Sequence, residues 1–208
     1  MRKTFGLTAA VIALSAAIMA VPAQAGVVFA FEESPGGVTG TLSGSVNIEG
    51  VQYVGAEQIS DAGILPSGGV LVTGTQFTAV DLYSVAGPRS FGTGSSQVIA
   101  TEVSGDNFGI VVGFGIPGTL GGVGAALPRG YVSGTDLSAT LTFAGETFDS
   151  LGITPGEYVY EFVFAPENEV PVSTFASAAQ EENNIVVRFS PGEAAVIPLP
   201  AGLPLLLA

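Results

Sequence analysis

The sequence predicts an all-β fold: an antiparallel β-sandwich or jelly-roll-like single domain of about nine or ten short strands, with flexible termini. Three observations carry this expectation. Val38, Gly40, Leu42, Gly44, Val46 and Ile48 alternate with Thr39, Thr41, Ser43, Ser45, Asn47 and Glu49. A period of two sets one face of a strand against a core and the other against water. The alternation returns in Leu137, Ala139, Leu141 and Phe143, and again in Tyr158, Tyr160, Phe162 and Phe164. Glycine-rich and proline-rich punctuation separates these runs, as tight turns separate strands.

Taken in order, Val27-Val28-Phe29-Ala30-Phe31 is an apolar strand closed by Glu32-Glu33 and the turn Ser34-Pro35-Gly36-Gly37. The alternating run follows, and the glycines on its inner face imply a bend or a large opposing side chain. Residues 51–59 read as a strand carrying Tyr53, and residues 61–69 as a Gly/Pro/Ser loop. Residues 70–73 and 76–85 read as strands, and 87–94 as a turn-rich connection. Residues 97–103 and 108–114 form strands about the turn Ser104-Gly105-Asp106-Asn107, while 118–124 has too much glycine for a regular element. Residues 137–143, 157–165 and 185–189 complete the set. Residues 166–184 interrupt it as an acidic insertion, either a loop or a short helix over 173–180 capped by Ser173.

Both ends differ from this β-rich stretch. Met1-Arg2-Lys3 is basic, residues 5–19 carry no charge, and Val21-Pro22-Ala23-Gln24-Ala25 offers a small-x-small exit before Gly26. This is the pattern of a cleaved secretory signal, with Ala23 and Ala25 flanking the scission and Gly26 following it. The apolar run is shorter than the about 20 residues a membrane span needs. At the other end, residues 194–208 are uncharged, and Pro198, Pro200 and Pro204 preclude a regular helix or central strand at their start. The expected organisation is therefore a signal over 1–25, a β-rich extracytoplasmic domain over 26–193 and a C-terminal segment over 194–208.

Composition excludes several functions. After removal of the signal, three arginines face eighteen acidic residues, a formal charge of −15. Nucleic acid and anionic lipid headgroups both need Lys and Arg, so neither is expected as a partner. Cysteine and histidine are both absent. Disulfides, His-dependent triads and the usual zinc, copper and iron ligand sets are therefore unavailable. No catalytic, cofactor-binding or metal residue is assigned.

The tail Val196-Ile197-Pro198-Leu199-Pro200-Ala201-Gly202-Leu203-Pro204-Leu205-Leu206-Leu207-Ala208 resembles the VPLPA variant of the PEP-CTERM sorting signal, with Ile197 inserted after the valine. The interior blocks Ser90–Gly94, Ser104–Ile110, Leu127–Gly134 and Thr147–Gly156 are similar to those of PEP-CTERM cargo proteins. The sorting motif is then Val196, Pro198, Leu199, Pro200 and Ala201. The resemblance implies export by a Gram-negative bacterium, processing by an exosortase-type protease and association with the cell surface or extracellular polysaccharide. It supplies no catalytic residue. The family segment continues as a full span ending in arginines, whereas residues 194–208 stop after 15 uncharged residues. The segment is expected to be incomplete, with transient membrane association only if the native chain is longer.

Four candidate chemistries remain. Gly113-Phe114-Gly115-Ile116-Pro117-Gly118 matches G-x-G-x-x-G, but Pro117 and the following glycines oppose the helix that dinucleotide binding requires, so a strand-to-strand loop is expected. Glu157 and Glu161 could pair as glycosidase carboxylates, yet they share the face opposite Tyr158, Tyr160, Phe162 and Phe164, as solvated residues would. Asp106-Asn107, Glu167-Asn168-Glu169 and Glu181-Glu182-Asn183-Asn184 are oxygen-rich but lack calcium-loop spacing. Tyr53, Tyr83, Tyr131, Tyr158 and Tyr160 could stack on sugars or simply pack in the core. The reading that best fits is a non-enzymatic exported surface or matrix protein. Its alternatives are a carbohydrate-binding module and, behind that, a carboxylate-based hydrolase.

Overall fold

A computed structural model describes residues 26–59, 61–114, 122–164 and 183–191. The first apolar run forms β1 (Val27–Ser34), with Val27, Phe29 and Phe31 wholly buried. It turns through Ser34–Gly37 into β2 (Gly37–Gly44), where the alternation holds: Val38, Gly40, Leu42 and Gly44 face the core, and Thr39, Thr41 and Ser43 face solvent. The inward glycine is explained by its opposite residue. Gly40 lies across from Phe31, and a β-carbon at Gly40 would collide with the Phe31 ring.

The chain continues through β3 (Tyr53–Gln58), β4 (Gly63–Leu65), a 3-10 turn over Pro66–Gly68, β5 (Val70–Thr73), β6 (Ala79–Ala86), β7 (Val98–Ile99), β8 (Glu102–Gly105) and β9 (Phe108–Phe114). Then come β10 (Gly122–Pro128), β11 (Leu137–Ala144), the short helix α1 (Phe148–Leu151), β12 (Gly156–Phe162) and β13 (Asn184–Ser190). Among the described residues all thirteen strands belong to one sheet, in the order β7-β4-β5-β9-β10-β6-β12-β13-β1-β2-β11-β8, with β3 alongside β6. The sheet curls so that one face encloses the main core, which draws on strands from both of its halves.

The all-β single domain is as expected, and the differences are informative. Pairing is mixed rather than wholly antiparallel, because β1 and β13 run parallel, Val27 opposite Ile185 through Glu32 opposite Ser190. The strand count exceeds nine or ten. Residues 61–69 hold β4 within the expected loop, and residues 97–103 hold two short strands rather than one. Gly122 and Gly124 open β10, because flanking β6 and β9 supply its hydrogen bonds on both sides and Ala125 and Leu127 fill the core. The strand expected over 76–85 starts only at Ala79, since Phe77 adopts φ 59 in a turn that also bonds Thr78 N–H to Thr75 O (3.3 Å). The insertion lies outside the described residues up to residue 182.

Two devices close the curl. Ala100 N–H donates to Ala62 O (3.0 Å), beside β4, and Thr101 N–H donates to Thr142 O (2.7 Å), in β11. One short segment thus leaves the edge strand at one end of the sheet and enters the edge strand at the other. The second device is aromatic. Phe31 stacks on Phe189 (centroids 4.9 Å), which also meets Phe91, Phe148 and Tyr158 within 5.8 Å. Burial of each such ring contributes on the order of 2–3 kcal/mol.

Among the described residues two buried side-chain hydroxyls, those of Thr73 and Tyr160, lack a hydrogen-bond partner. Tyr160 is fully buried, yet its hydroxyl has no hydrogen-bond partner. Burial pushes its pKa far up, with the neighbouring Tyr158 adding to the rise; Tyr158, Tyr131 and Tyr83 are raised chiefly by burial as well. A raised folded-state pKa means that stability is fully present below the unfolded tyrosine value of about 10 and is lost as pH climbs above it. Thermal melts should therefore hold steady into mild alkali and fall above about pH 10. Tyr160→Phe should blunt that fall and, by removing an unsatisfied buried hydroxyl, leave neutral-pH stability unchanged or up to about 1–2 kcal/mol higher in urea unfolding. Gly40→Val should cost about 1–3 kcal/mol in the same measurement, because the Phe31 ring must move.

Candidate functional site

Residues proposed from sequence scatter over the sheet. Glu157 lies opposite Arg188 on β12 and β13, and Arg188 Nη2 reaches Glu157 Oε2 at 2.7 Å with both side chains about half exposed. Glu161, four residues further along β12, is exposed beside Asn184. The two carboxylates thus sit on an open strand face, and one is already paired with a cation. Tyr160 and Phe162 are buried on the other face as expected, while Phe164 is exposed. Asp106 accepts Ser138 N–H (2.8 Å) and Asn107 Oδ1 accepts Thr75 N–H (2.6 Å), so both serve as backbone caps. Among the described residues no cluster of three metal-ligating side chains occurs. Gly113 lies in β9, and the rest of the G-x-G-x-x-G match falls outside the described residues apart from the backbone of Phe114.

The tyrosines divide by role. Tyr131 is buried; its hydroxyl accepts Val46 N–H (3.1 Å) and donates to Thr135 O (2.6 Å). Ser133 Oγ accepts Ile48 N–H (3.0 Å), and Asn183 clasps Asn47 by accepting from its N–H (2.7 Å) and donating to its carbonyl (2.6 Å). The loop after β2 is thereby pinned to the loop after β10 and to the start of β13. Tyr158 donates to Thr154 O (2.8 Å) beside Phe91. Tyr53 alone is mostly exposed, at 54%, and meets Tyr83 edge-on with centroids 5.7 Å apart and planes 65° apart. This is not a flat platform for a sugar ring.

The sequence had no signal for the site that the register assembles. On the outer face of β1, β2, β11 and β8, cross-strand partners align in rows. One row runs Glu32, Thr39, Thr142, Glu102; the next runs Ala30, Thr41, Thr140, Ser104; the third runs Val28, Ser43, Ser138. Each residue type is an ordinary choice for a solvated strand face. What could be read was the outward position of Thr39, Thr41 and Ser43 and of Ser138, Thr140 and Thr142, but not that the two sets lie side by side. A shallow groove lined by Glu102, Val103, Ser104, Thr140 and Thr142 lies at the β8 end of these rows.

Of the expected processing residues, Gly26 is described: it is buried against Asn184 with φ 55, immediately before β1. Ala23, Ala25, Val196, Pro198, Leu199, Pro200 and Ala201 lie outside the described residues. No family model, curated protein or solved structure matches this chain.

The half-exposed Glu157–Arg188 pair should matter little to folding. Glu157→Gln is expected to lower urea-unfolding stability by no more than about 1 kcal/mol and to leave the far-ultraviolet spectrum unchanged.

Proposed function

We infer that the chain is an exported cell-surface or matrix-associated protein of a Gram-negative bacterium, with a structural or interaction role rather than a catalytic one. The observation that carries this reading is the pair of unlike ends around one β domain. A basic head, an uncharged run and Ala23-Gln24-Ala25 precede it, and the Val196 to Ala201 motif follows it. The strands fit between those ends: β1 opens at Val27, two residues after Ala25, and β13 ends at Ser190, before the uncharged segment begins at 194. An exosortase-type protease would act on the C-terminal segment, whose association with the membrane would be transient. A surface poor in Lys and Arg suits solubility outside the cell.

The test is cell fractionation in a host that carries an exosortase, with and without residues 194–208 and with and without that enzyme. Mature protein beginning at Gly26 should appear outside the cytoplasm in every case. Its partition between surface and medium should change when either the segment or the exosortase is removed. Retention of residues 1–25, or one unchanged distribution across all four strains, contradicts the reading.

A further inference from the structure

We propose that the apolar outer face of β5, β9, β10 and β6 is the docking surface for the chain's own C-terminal stretch, residues 196–208. Alternation divides each of these strands between the two faces of the sheet. Leu71, Ile110, Ala125, Leu127 and Val85 belong to the main core, while Val72, Val111, Ala126, Val80 and Leu82 form a second cluster on the opposite face. Backbone pairing sets Leu82 beside Ala126, with Gly109 between Ala126 and Val72. Strands apolar on both faces are characteristic of sheets covered on both sides. On β2 and β11 the same outer side carries Thr39, Thr41, Thr140 and Thr142 and meets water. Here Val72, Val80, Leu82, Val111 and Ala126 are each 8% exposed or less. Among the described residues, the apolar side chains of this cluster come from these four strands, from Val54 in β3 and from Ile59 just after it. None comes from a second layer, and an apolar sheet face needs one.

The cover belongs to the same chain, because these side chains are dry in a single chain. Chemistry selects the segment. Residues 165–182 carry Glu167, Glu169, Glu181 and Glu182, and an unpaired charge is costly against an apolar face. Residues 115–121 offer only Ile116 and Leu120 as large apolar side chains. Residues 1–25 are set aside on the export reading, the one step that rests on it. Residues 196–208 are uncharged and bring Val196, Ile197 and five leucines. Pro198, Pro200 and Pro204 keep the stretch extended, so it can lie along a sheet face without a helix of its own. Its reach is sufficient. β6 lies two strands from β13, about 10 Å away. Phe189 pairs with Gly156, and Val85 pairs with Phe162 at the other end of β12, so Leu82 is about 30 Å from the end of β13 along the strands. The residues from Pro191 to Leu199 span about 30 Å when extended. Leu203 to Leu207 then fall over Ala126, Val111 and Val72.

Paramagnetic broadening in nuclear magnetic resonance tests this on the chain from Gly26 to Ala208, which keeps every described residue. A nitroxide is attached at Ala201→Cys, the single thiol in a protein that has no cysteine of its own. The amide peaks of Leu82, Val111 and Ala126 should lose most of their intensity, while those of Thr41 and Thr140 keep theirs. Adding Leu203→Glu/Leu206→Glu, which alters the tail and not the sheet, should restore the lost intensity. The proposal is overturned if the label broadens no strand, if it broadens Thr41 and Thr140 as much as Leu82, or if the two glutamates change nothing. It is equally overturned if a mixed sample, with the label on one molecule and the isotope on another, shows the same broadening, since the occupant would then be a second copy. Sorting is not measured, so a docked tail on a protein that is never exported would contradict the export reading alone.

Discussion

The parallel pairing of β1 with β13 is the constraint on which the rest depends. It joins the first and last strands of the described residues in the interior of the sheet, with β2 on one side and β12 on the other. The same contact stacks Phe31 on Phe189 and thereby gathers Phe91, Phe148 and Tyr158 around one ring. With no cysteine to staple the chain, this packing and its backbone ladder must hold the two halves of the sheet together. Parallel pairing between segments so distant in sequence closes a very long loop, and such contacts form late and slowly.

The curl follows from that junction. Strands before and after it wind outward to β7 at one edge and β8 at the other, and these are neighbours in the chain. The short link through Ala100 and Thr101 therefore meets both edges, bonding beside β4 and then to β11. Among the described residues the free edges are those of β7 and β8, both short, and of β3. The same arrangement holds the β2–β11–β8 face in register, which is what turns scattered threonines and serines into rows.

Strand identity was legible wherever one face was apolar, as in residues 38–44, 137–143 and 158–162. It failed where glycine or brevity hid the pattern. β10 carries Gly122 and Gly124 and is a strand because its neighbours demand it, not because of its own propensity. β4 and β7 are too short to show a period. Phe77 delayed the start of β6 through a left-handed turn that no propensity assigns to phenylalanine. The parallel β1–β13 pair could not be read, since alternation specifies a face and not a partner. The same limit hid the hydroxyl rows: Thr41 was legible as solvent-facing, but Thr140 beside it was a matter of register.

The fold also bears on the proposed sorting. β13, the last strand among the described residues, ends at Ser190, just ahead of the C-terminal segment in the sequence. A domain that needs its final strand cannot be complete before the sorting motif is nearly made. The direct measurement is thermal unfolding, followed by near-ultraviolet dichroism, of a chain ended after Asn183 beside the full chain. If the β1–β13 junction organises the fold, the shortened chain shows no cooperative transition and exposes apolar surface to a hydrophobic dye. A cooperative melt near the midpoint of the full chain would contradict the account.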